Sequence, residues 1–87
     1  MPEPRMEEIG HIEMYFAKPS AAVIALKAPL RVGETIYVKG HTTDFQQVIE
    51  SMQVDHQPIQ AATPGQSVGV KVTARCRKND LVYKLVV

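Results

Sequence analysis

The stretch Ser67-Val68-Gly69-Val70-Lys71-Val72-Thr73-Ala74-Arg75-Cys76 predicts a β-strand, because apolar residues alternate along it with polar residues or glycine. Successive side chains of a strand point to opposite faces, so this period of two buries one face and exposes the other. The composition agrees: Val, Ile and Thr make up 22 of the 87 residues, whereas Leu occurs only 4 times. Branching at Cβ suits a pleated sheet better than a helix. We therefore expect an all-β protein.

Other segments show strand patterns that are separated by turn residues such as Pro, Gly, Asn and Asp. Together with the first stretch, the predicted strands are residues 9–16, 21–27, 34–39, 45–55, 57–59, 67–76 and 81–87. Short strands at this spacing are typical of a sandwich or a small barrel. Closure is favoured, because a small open sheet leaves unpaired edges. The prediction is a small closed six- or seven-stranded, mostly antiparallel barrel.

Two predicted strands carry details that the structure can test. In residues 9–16 the alternation places Ile12, Met14 and Phe16 on one face. In residues 45–55 two apolar sets compete, and the inner face holds either Val48, Met52 and Val54 or Phe45 and Ile49. A strand with two apolar faces crosses between layers or is bulged. A helix over 45–53, capped by Asp44, is the alternative.

Composition and charge exclude several classes of protein. Apolar residues make up 45% of the chain and the net charge is +1, which disfavours a strongly basic nucleic-acid binder and an acidic disordered tail. The chain has no apolar run long enough to span a bilayer, and its first residues lack the pattern of a signal peptide. Cys76 is the one cysteine, which fits a reducing compartment. We expect a cytoplasmic protein with a flexible leader at residues 1–6 and a single β-barrel domain at 7–87.

Four segments, in this order along the chain, resemble motifs of one known domain. They are Val32-Gly33-Glu34-Thr35-Ile36-Tyr37-Val38-Lys39-Gly40, Val48-Ile49-Glu50-Ser51-Met52-Gln53, Ile59-Gln60-Ala61-Ala62-Thr63-Pro64-Gly65-Gln66-Ser67-Val68-Gly69-Val70 and Arg77-Lys78-Asn79-Asp80-Leu81-Val82-Tyr83. This set resembles the second domain of translational GTPases, the β-barrel of elongation factor Tu and its relatives. It also resembles the small barrel appended to some peptidase family U32 proteins. The resemblance covers residues 8–86 and implies a translation-protein domain 2 type of barrel.

The resemblance also marks individual positions. Gly33 and Gly65 stand where a turn favours positive φ, and Gly69 stands where a second backbone would approach closely. Asn79 takes the place of the usual glycine, and asparagine tolerates the left-handed region. Ser67 stands where elongation factor Tu has an asparagine near the aminoacyl end of tRNA, so that function does not transfer directly. The phosphate-binding loop G-x-x-x-x-G-K-[ST] is absent, so the chain is not itself a translational GTPase.

The predicted nucleic-acid site consists of Lys71, Arg75, Arg77 and Lys78. The first three share one face of the predicted strand, about 6.6 Å apart, which is similar to the spacing of phosphates on an extended single strand. Lys84 would extend the patch, and Tyr83 or Tyr37 would offer a stacking face. The leading hypothesis is a non-catalytic module that contacts tRNA, ribosomal RNA or a protein of the translation apparatus. The plainer explanation is that the outer face of a strand is polar in any case.

A protein–protein interaction module is the alternative function. Glutamines cluster around residues 45–60, and an amide-rich surface or sheet edge can bind another chain. The predicted interaction surface consists of Gln47, Gln53, Ser67 and Tyr83. In this interpretation the chain acts as the stand-alone barrel of a larger multi-component enzyme. Its oligomeric state is expected to be a monomer or a homodimer.

The titratable residues do not predict catalysis. His11, His41 and His56 lack the short spacing of a zinc site, although a minor alternative is that folding brings them together around a metal or small molecule. Cys76 falls on the inward register, where a buried thiol has a raised pKa. Glu50 and Asp55 have opposite parity on a regular strand, so they would not form a carboxylate pair. We expect no enzyme activity, no cofactor and no metal.

Overall fold

The computed structural model of the protein describes residues 5–18 and 20–86. It contains β1 Arg5–Phe16, β2 Ala21–Leu26, β3 Leu30–Arg31, β4 Thr35–Lys39, β5 Asp44–Val48, β6 Met52–Val54, β7 Gln57–Ile59, β8 Ala61–Ala62, β9 Ser67–Lys71 and β10 Leu81–Val86. Every strand pair in this set is antiparallel, which confirms the all-β antiparallel prediction. The helical alternative for 45–53 is wrong, since those residues hold β5 and the start of β6. Within the described residues, no helix is long and apolar enough to cross a membrane.

The predicted closed barrel is not found, because the main sheet is open. Eight strands pair in the order β5-β4-β10-β1-β2-β9-β6-β7, and β3 and β8 form a separate two-stranded sheet. The cause lies in the segment predicted as one long strand. Its first half, β5, pairs with β4, its second half, β6, pairs with β9, and residues 49–51 belong to no strand. Because the ladder is interrupted there, β5 and β7 are the two ends of the sheet.

The stretch 67–76 is a strand only as far as Lys71, although its burial alternates to the end. Val68, Val70, Val72 and Cys76 are all buried. Beyond Lys71 a side chain takes the place of a neighbouring strand: Gln47 Nε2 donates to the carbonyl of Lys71 over 2.7 Å, and its Oε1 accepts from the backbone N–H of Thr73 over 2.8 Å. The inward and outward faces predicted from the sequence are therefore correct, but the strand is shorter than predicted.

The long first strand, β1, bends twice. Its register shifts between Glu8 and Gly10 against β10, and again between Ile12 and Met14 against β2. The second shift reverses the faces, so Met14 and Phe16 are 51% and 45% exposed, whereas Tyr15 packs against the core. The prediction that Ile12, Met14 and Phe16 share a face is therefore wrong, because a bulge adds one residue to the alternation. The strand begins at Arg5, within the predicted leader, and residues 1–4 lie outside the described residues.

The core is a single cluster between the faces of the bent sheet. Its largest fully buried side chains are Ile9, Ile12, Ile24, Leu30, Ile36, Val38, Ile49, Met52, Val68, Val70, Cys76 and Val82. Two turn glycines have the expected positive φ, 96° at Gly33 and 92° at Gly65. The close backbone approach predicted at Gly69 occurs instead at Gly10. A Cβ at Gly69 would have only Gln53 O within 4 Å, at 3.8 Å, whereas a Cβ at Gly10 would overlap the carbonyl oxygen of Ala25.

Candidate functional site

Residues 72–80, which we call the cationic loop, connect β9 to β10 and are fixed to β1. The backbone N–H of Ile12 donates to the carbonyl of Asp80 over 2.7 Å, and the N–H of Asn79 donates to the carbonyl of Ile12 over 2.7 Å. Asn79 has a φ of 76°, so it adopts the left-handed conformation that the sequence predicted. These contacts tie the end of the loop to the middle strands of the sheet.

A buried carboxylate organises the tip of the cationic loop. Asp80 is 7% exposed, and its Oδ2 accepts a hydrogen bond of 2.8 Å from the backbone N–H of Arg77. The N–H of Asp80 in turn donates to the carbonyl of Arg77 over 3.1 Å. Gly40 lies directly beside this carboxylate, because a Cβ at that position would overlap Asp80 Oδ1. The backbone that carries Arg77 and Lys78 is therefore held in place before any partner binds.

A shallow, open groove of about 450 Å³ lies between the cationic loop and β1, and we call it the cationic groove. It is lined by Glu13, Met14, Tyr15, Arg75, Cys76, Arg77 and Lys78. Arg75, Arg77 and Lys78 are all exposed, and Met14 is 51% exposed beside them. Glu13 is the one carboxylate of the lining, and it accepts from Ser67 Oγ at 3.2 Å. The groove thus combines an excess of positive charge with one large apolar side chain.

The structure brings together three of the four predicted nucleic-acid-binding residues. Lys71 is the exception: its Cα pairs with Ala21 on β2, and it does not line the cationic groove. Lys84, the predicted extension of the patch, lies elsewhere, where its Nζ is 3.3 Å from a carboxylate oxygen of Glu34 and donates to the carbonyl of Pro29. The chain leaves the strand after Lys71, so a regular spacing of about 6.6 Å does not continue to Arg75.

The predicted interaction residues do not form one surface. Gln47 is engaged within the fold, where it bonds the backbone of Lys71 and Thr73. Gln53 and Ser67 share a shallow depression of about 420 Å³ on the outer face of β2 and β9. Tyr83 lies on another part of the sheet, opposite Glu8 on β1 and Tyr37 on β4. The two predicted stacking residues, Tyr37 and Tyr83, are therefore neighbours, but neither lines the cationic groove.

Sequence reasoning missed the β1 side of the groove, namely Glu13, Met14 and Tyr15. Regular alternation placed Met14 in the core, where it would contact no partner. The bulge that reverses its direction has no signal in the local residue types. Gly10, a residue type that marks bulges and bends in strands, lies at the other register shift of β1.

The reactive side chains are dispersed. His11 lies on β1, His41 lies in the loop between β4 and β5, and His56 lies in the turn between β6 and β7. In the described part of the chain, no three His, Cys, Asp or Glu side chains are grouped so that they could hold a metal ion. Cys76 is buried, and burial raises its pKa from the ordinary value of 9.0 to about 11, with a further contribution from the Asp80 carboxylate. At neutral pH this residue is a protonated thiol and not a nucleophilic thiolate.

The raised pKa of Cys76 predicts a loss of stability at alkaline pH. Between pH 9.0 and about pH 11 the unfolded chain releases the thiol proton while the folded chain keeps it, so stability falls as pH rises through this range. The loss amounts to about 3 kcal/mol in total, since one pKa unit corresponds to about 1.4 kcal/mol. We expect urea denaturation to show this loss in the natural protein and not in Cys76→Ala, after each is referred to its own stability below the range. Equal alkaline losses in the two proteins would contradict the assignment.

Known proteins resemble this chain in sequence and in fold. No protein-family model matches the chain. Its sequence is 39% identical over 82 residues to a Methanocaldococcus jannaschii protein named an uncharacterised protease, a match that covers 93% of this chain and 20% of that protein. The chain therefore spans about a fifth of the length of this curated relative.

Two solved structures have a fold similar to that of this chain. The crystal structure of the C-terminal domain of a Geobacillus thermoleovorans protein described as a U32 peptidase superposes with a TM-score of 0.84 and 25% identity, covering 90% of this chain and 91% of that domain. Its selenomethionine variant gives a TM-score of 0.83 at 24% identity, covering 87% and 96%. The resemblance to the small barrel of U32 proteins is thus confirmed. The finer prediction of an elongation factor Tu type of domain is not supported by these comparisons.

Proposed function

We propose that this chain is a non-catalytic protein-interaction module that works beside a U32-type peptidase domain. One observation carries the proposal: almost the whole chain corresponds to the C-terminal domain of the Geobacillus protein and to only 20% of the archaeal protease. The remainder of the archaeal protein is large enough to hold the chemistry that its name implies. The small β-domain would then contribute binding.

The side chains of the groove support a binding role over a catalytic one. The one thiol of the chain, Cys76, is buried and protonated at neutral pH, with a pKa of about 11. Glu13, the carboxylate of the groove, is engaged with Ser67 and is not paired with a second carboxylate. The exposed groups, Arg75, Arg77 and Lys78, are cationic hydrogen-bond donors, which suit the binding of anionic groups better than proton transfer.

Contact with RNA is the second candidate, and the grouping of Arg75, Arg77 and Lys78 in one groove is the observation in its favour. Phosphate contacts would make such binding fall steeply with salt. Fluorescence anisotropy of bulk tRNA and ribosomal RNA fragments at about 50 and 200 mM salt tests it. Micromolar binding that collapses at the higher salt and on reversal of the three charges would favour RNA over the module proposed above.

The proposed function predicts association in trans. We expect the archaeal protease, purified without the segment that matches this chain, to bind the 87-residue protein with a Kd on the order of 10 μM in biolayer interferometry. Micromolar affinity is reasonable, because interfaces between domains of one chain resemble transient protein–protein interfaces. The excised archaeal segment, added in trans, is the positive control. Binding of that segment without binding of this chain would contradict the proposal.

A further inference from the structure

We propose that the cationic groove binds an acidic, extended segment of the partner protein, which pairs with the free edge of β1. This inference rests on the proposed function and adds the surface and the chemistry of the partner. It depends on three features of the groove, which are its charge, its apolar contact and the unpaired backbone of β1.

The charge of the groove selects an acidic partner. Three cationic side chains line it against one carboxylate, that of Glu13. The Glu13 carboxylate already accepts a hydrogen bond from Ser67 Oγ on β9, so it is partly engaged within the fold. The guanidinium groups of Arg75 and Arg77 can each bind a carboxylate through two parallel hydrogen bonds. Carboxylates of a partner would therefore meet little repulsion and two well-matched donors.

The backbone of β1 offers pairing on the same side. β1 pairs with β10 only as far as His11, and the cationic loop takes over for one residue at Ile12. Beyond that point, the described backbone pairing gives residues 14–16 a partner on the β2 side only, and it skips Glu13 at the register shift. An unpaired strand edge binds an added strand through main-chain hydrogen bonds, with side-chain pockets giving the specificity. A segment that lies in the groove would therefore be extended.

Met14 supplies the apolar part of the site. Its side chain is 51% exposed because of the register shift before it, and it borders the groove next to Arg75 and Arg77. An unbranched thioether adapts to side chains of different shape, which suits a peptide-binding surface. Tyr15 also lines the groove, but it is half-buried and packs against the core, so its ring is only partly open to a base. Because the one aromatic ring of this lining is half-buried, the groove suits a peptide better than a single-stranded nucleic acid.

The test is a titration of the 15N-labelled protein with synthetic peptides, followed by two-dimensional NMR. The probe is a ten-residue peptide of alternating Glu and Val, and its matched control has Gln in place of every Glu. We expect the acidic peptide to bind with a Kd of roughly 100 μM, the Gln peptide to bind at least about tenfold more weakly, and the shifts to centre on residues 13–15 and 75–78. Equal binding of the two peptides, or shifts centred elsewhere, would overturn the proposal.

Charge variants separate the groove from the rest of the surface. Reversal of the three groove cations (R75E, R77E and K78E) should weaken the acidic peptide at least about tenfold. The matched control reverses three exposed cations outside the groove (K18E, K39E and K71E) and should change the affinity less than about twofold. Similar losses in both variants would mean that the peptide responds to net charge alone and would overturn the assignment. Tighter binding of a single-stranded RNA at the same residues would also overturn it.

The two proposals fail in different ways. If the chain is not a module of a U32-type protein, the truncated archaeal protease will not bind it, whatever the peptides do. If only the groove is wrongly assigned, the truncated protease will bind the natural protein and the R75E/R77E/K78E variant equally.

Discussion

Gly10→Ala is expected to lower the free energy of unfolding by about 3 kcal/mol or more, a large part of the stability of so small a domain. Gly10 lies where β1 is paired on both sides, with Val82 on β10 and with Leu26 on β2. A Cβ there would overlap the carbonyl oxygen of Ala25 and lie 3.2 Å from the Cα of Leu26. These are backbone atoms, so no side chain can move aside, and the two strands would have to separate.

Gly69→Ala is the matched control, because it is the same substitution in another strand of the same sheet. The nearest atom to a Cβ at Gly69 is Gln53 O, at 3.8 Å, which is an ordinary contact. Alanine also restricts the unfolded chain more than glycine does, so we expect a change between zero and about 1 kcal/mol of added stability. Urea denaturation followed by circular dichroism measures both variants. Similar losses of stability in the two variants would show that the cost of Gly10→Ala comes from a general effect of the substitution in a strand and not from overlap with Ala25.

The sequence predicted the positions of the strands more accurately than it predicted whether the sheet closes into a barrel. Alternation identified the buried face of residues 67–76, because a period of two depends only on local geometry. Closure depends on whether residues 49–51 keep their backbone pairing, and that is decided by partners far away in the sequence. Gln47 illustrates the difficulty: its side chain reaches the backbone of Lys71 and Thr73, 24 and 26 residues away. No local pattern signals that an amide will replace a strand.

The candidate site was predictable to the extent that its residues are neighbours in sequence. Arg75, Arg77 and Lys78 lie within one short loop, so they meet in almost any conformation of it. The prediction for Lys71 required a continuous strand as far as Arg75, and the prediction for Lys84 required it to share that face from β10. Both residues lie outside the groove. Regular alternation assigned Met14 to the core. That assignment is wrong, because one added residue in β1 turns the side chains that follow it to the opposite face.

Ile49→Ala is expected to cost about 3 kcal/mol, the usual loss when a large core side chain is truncated. Ile49 is 1% exposed and follows directly after β5, where its N–H donates to Glu34 O over 2.9 Å and its carbonyl accepts from Gly33 N over 2.8 Å. The sequence left open whether Phe45 and Ile49 or Val48, Met52 and Val54 face inward. In the structure the inner face passes from the first set to the second across residues 50–51, and Met52 is as buried as Ile49.

Val48→Ala tests this crossover from the adjacent position. Val48 belongs to the second set but is 51% exposed, so its truncation should change stability by less than about 0.5 kcal/mol. Equilibrium denaturation in urea distinguishes the possibilities, because a regular strand that buried the second set would make Val48 costly and Ile49 neutral. Comparable costs at both positions would mean that the segment is buried on two faces. A large loss at Ile49 alone would place the change of face after it, at the interruption that also leaves the sheet open.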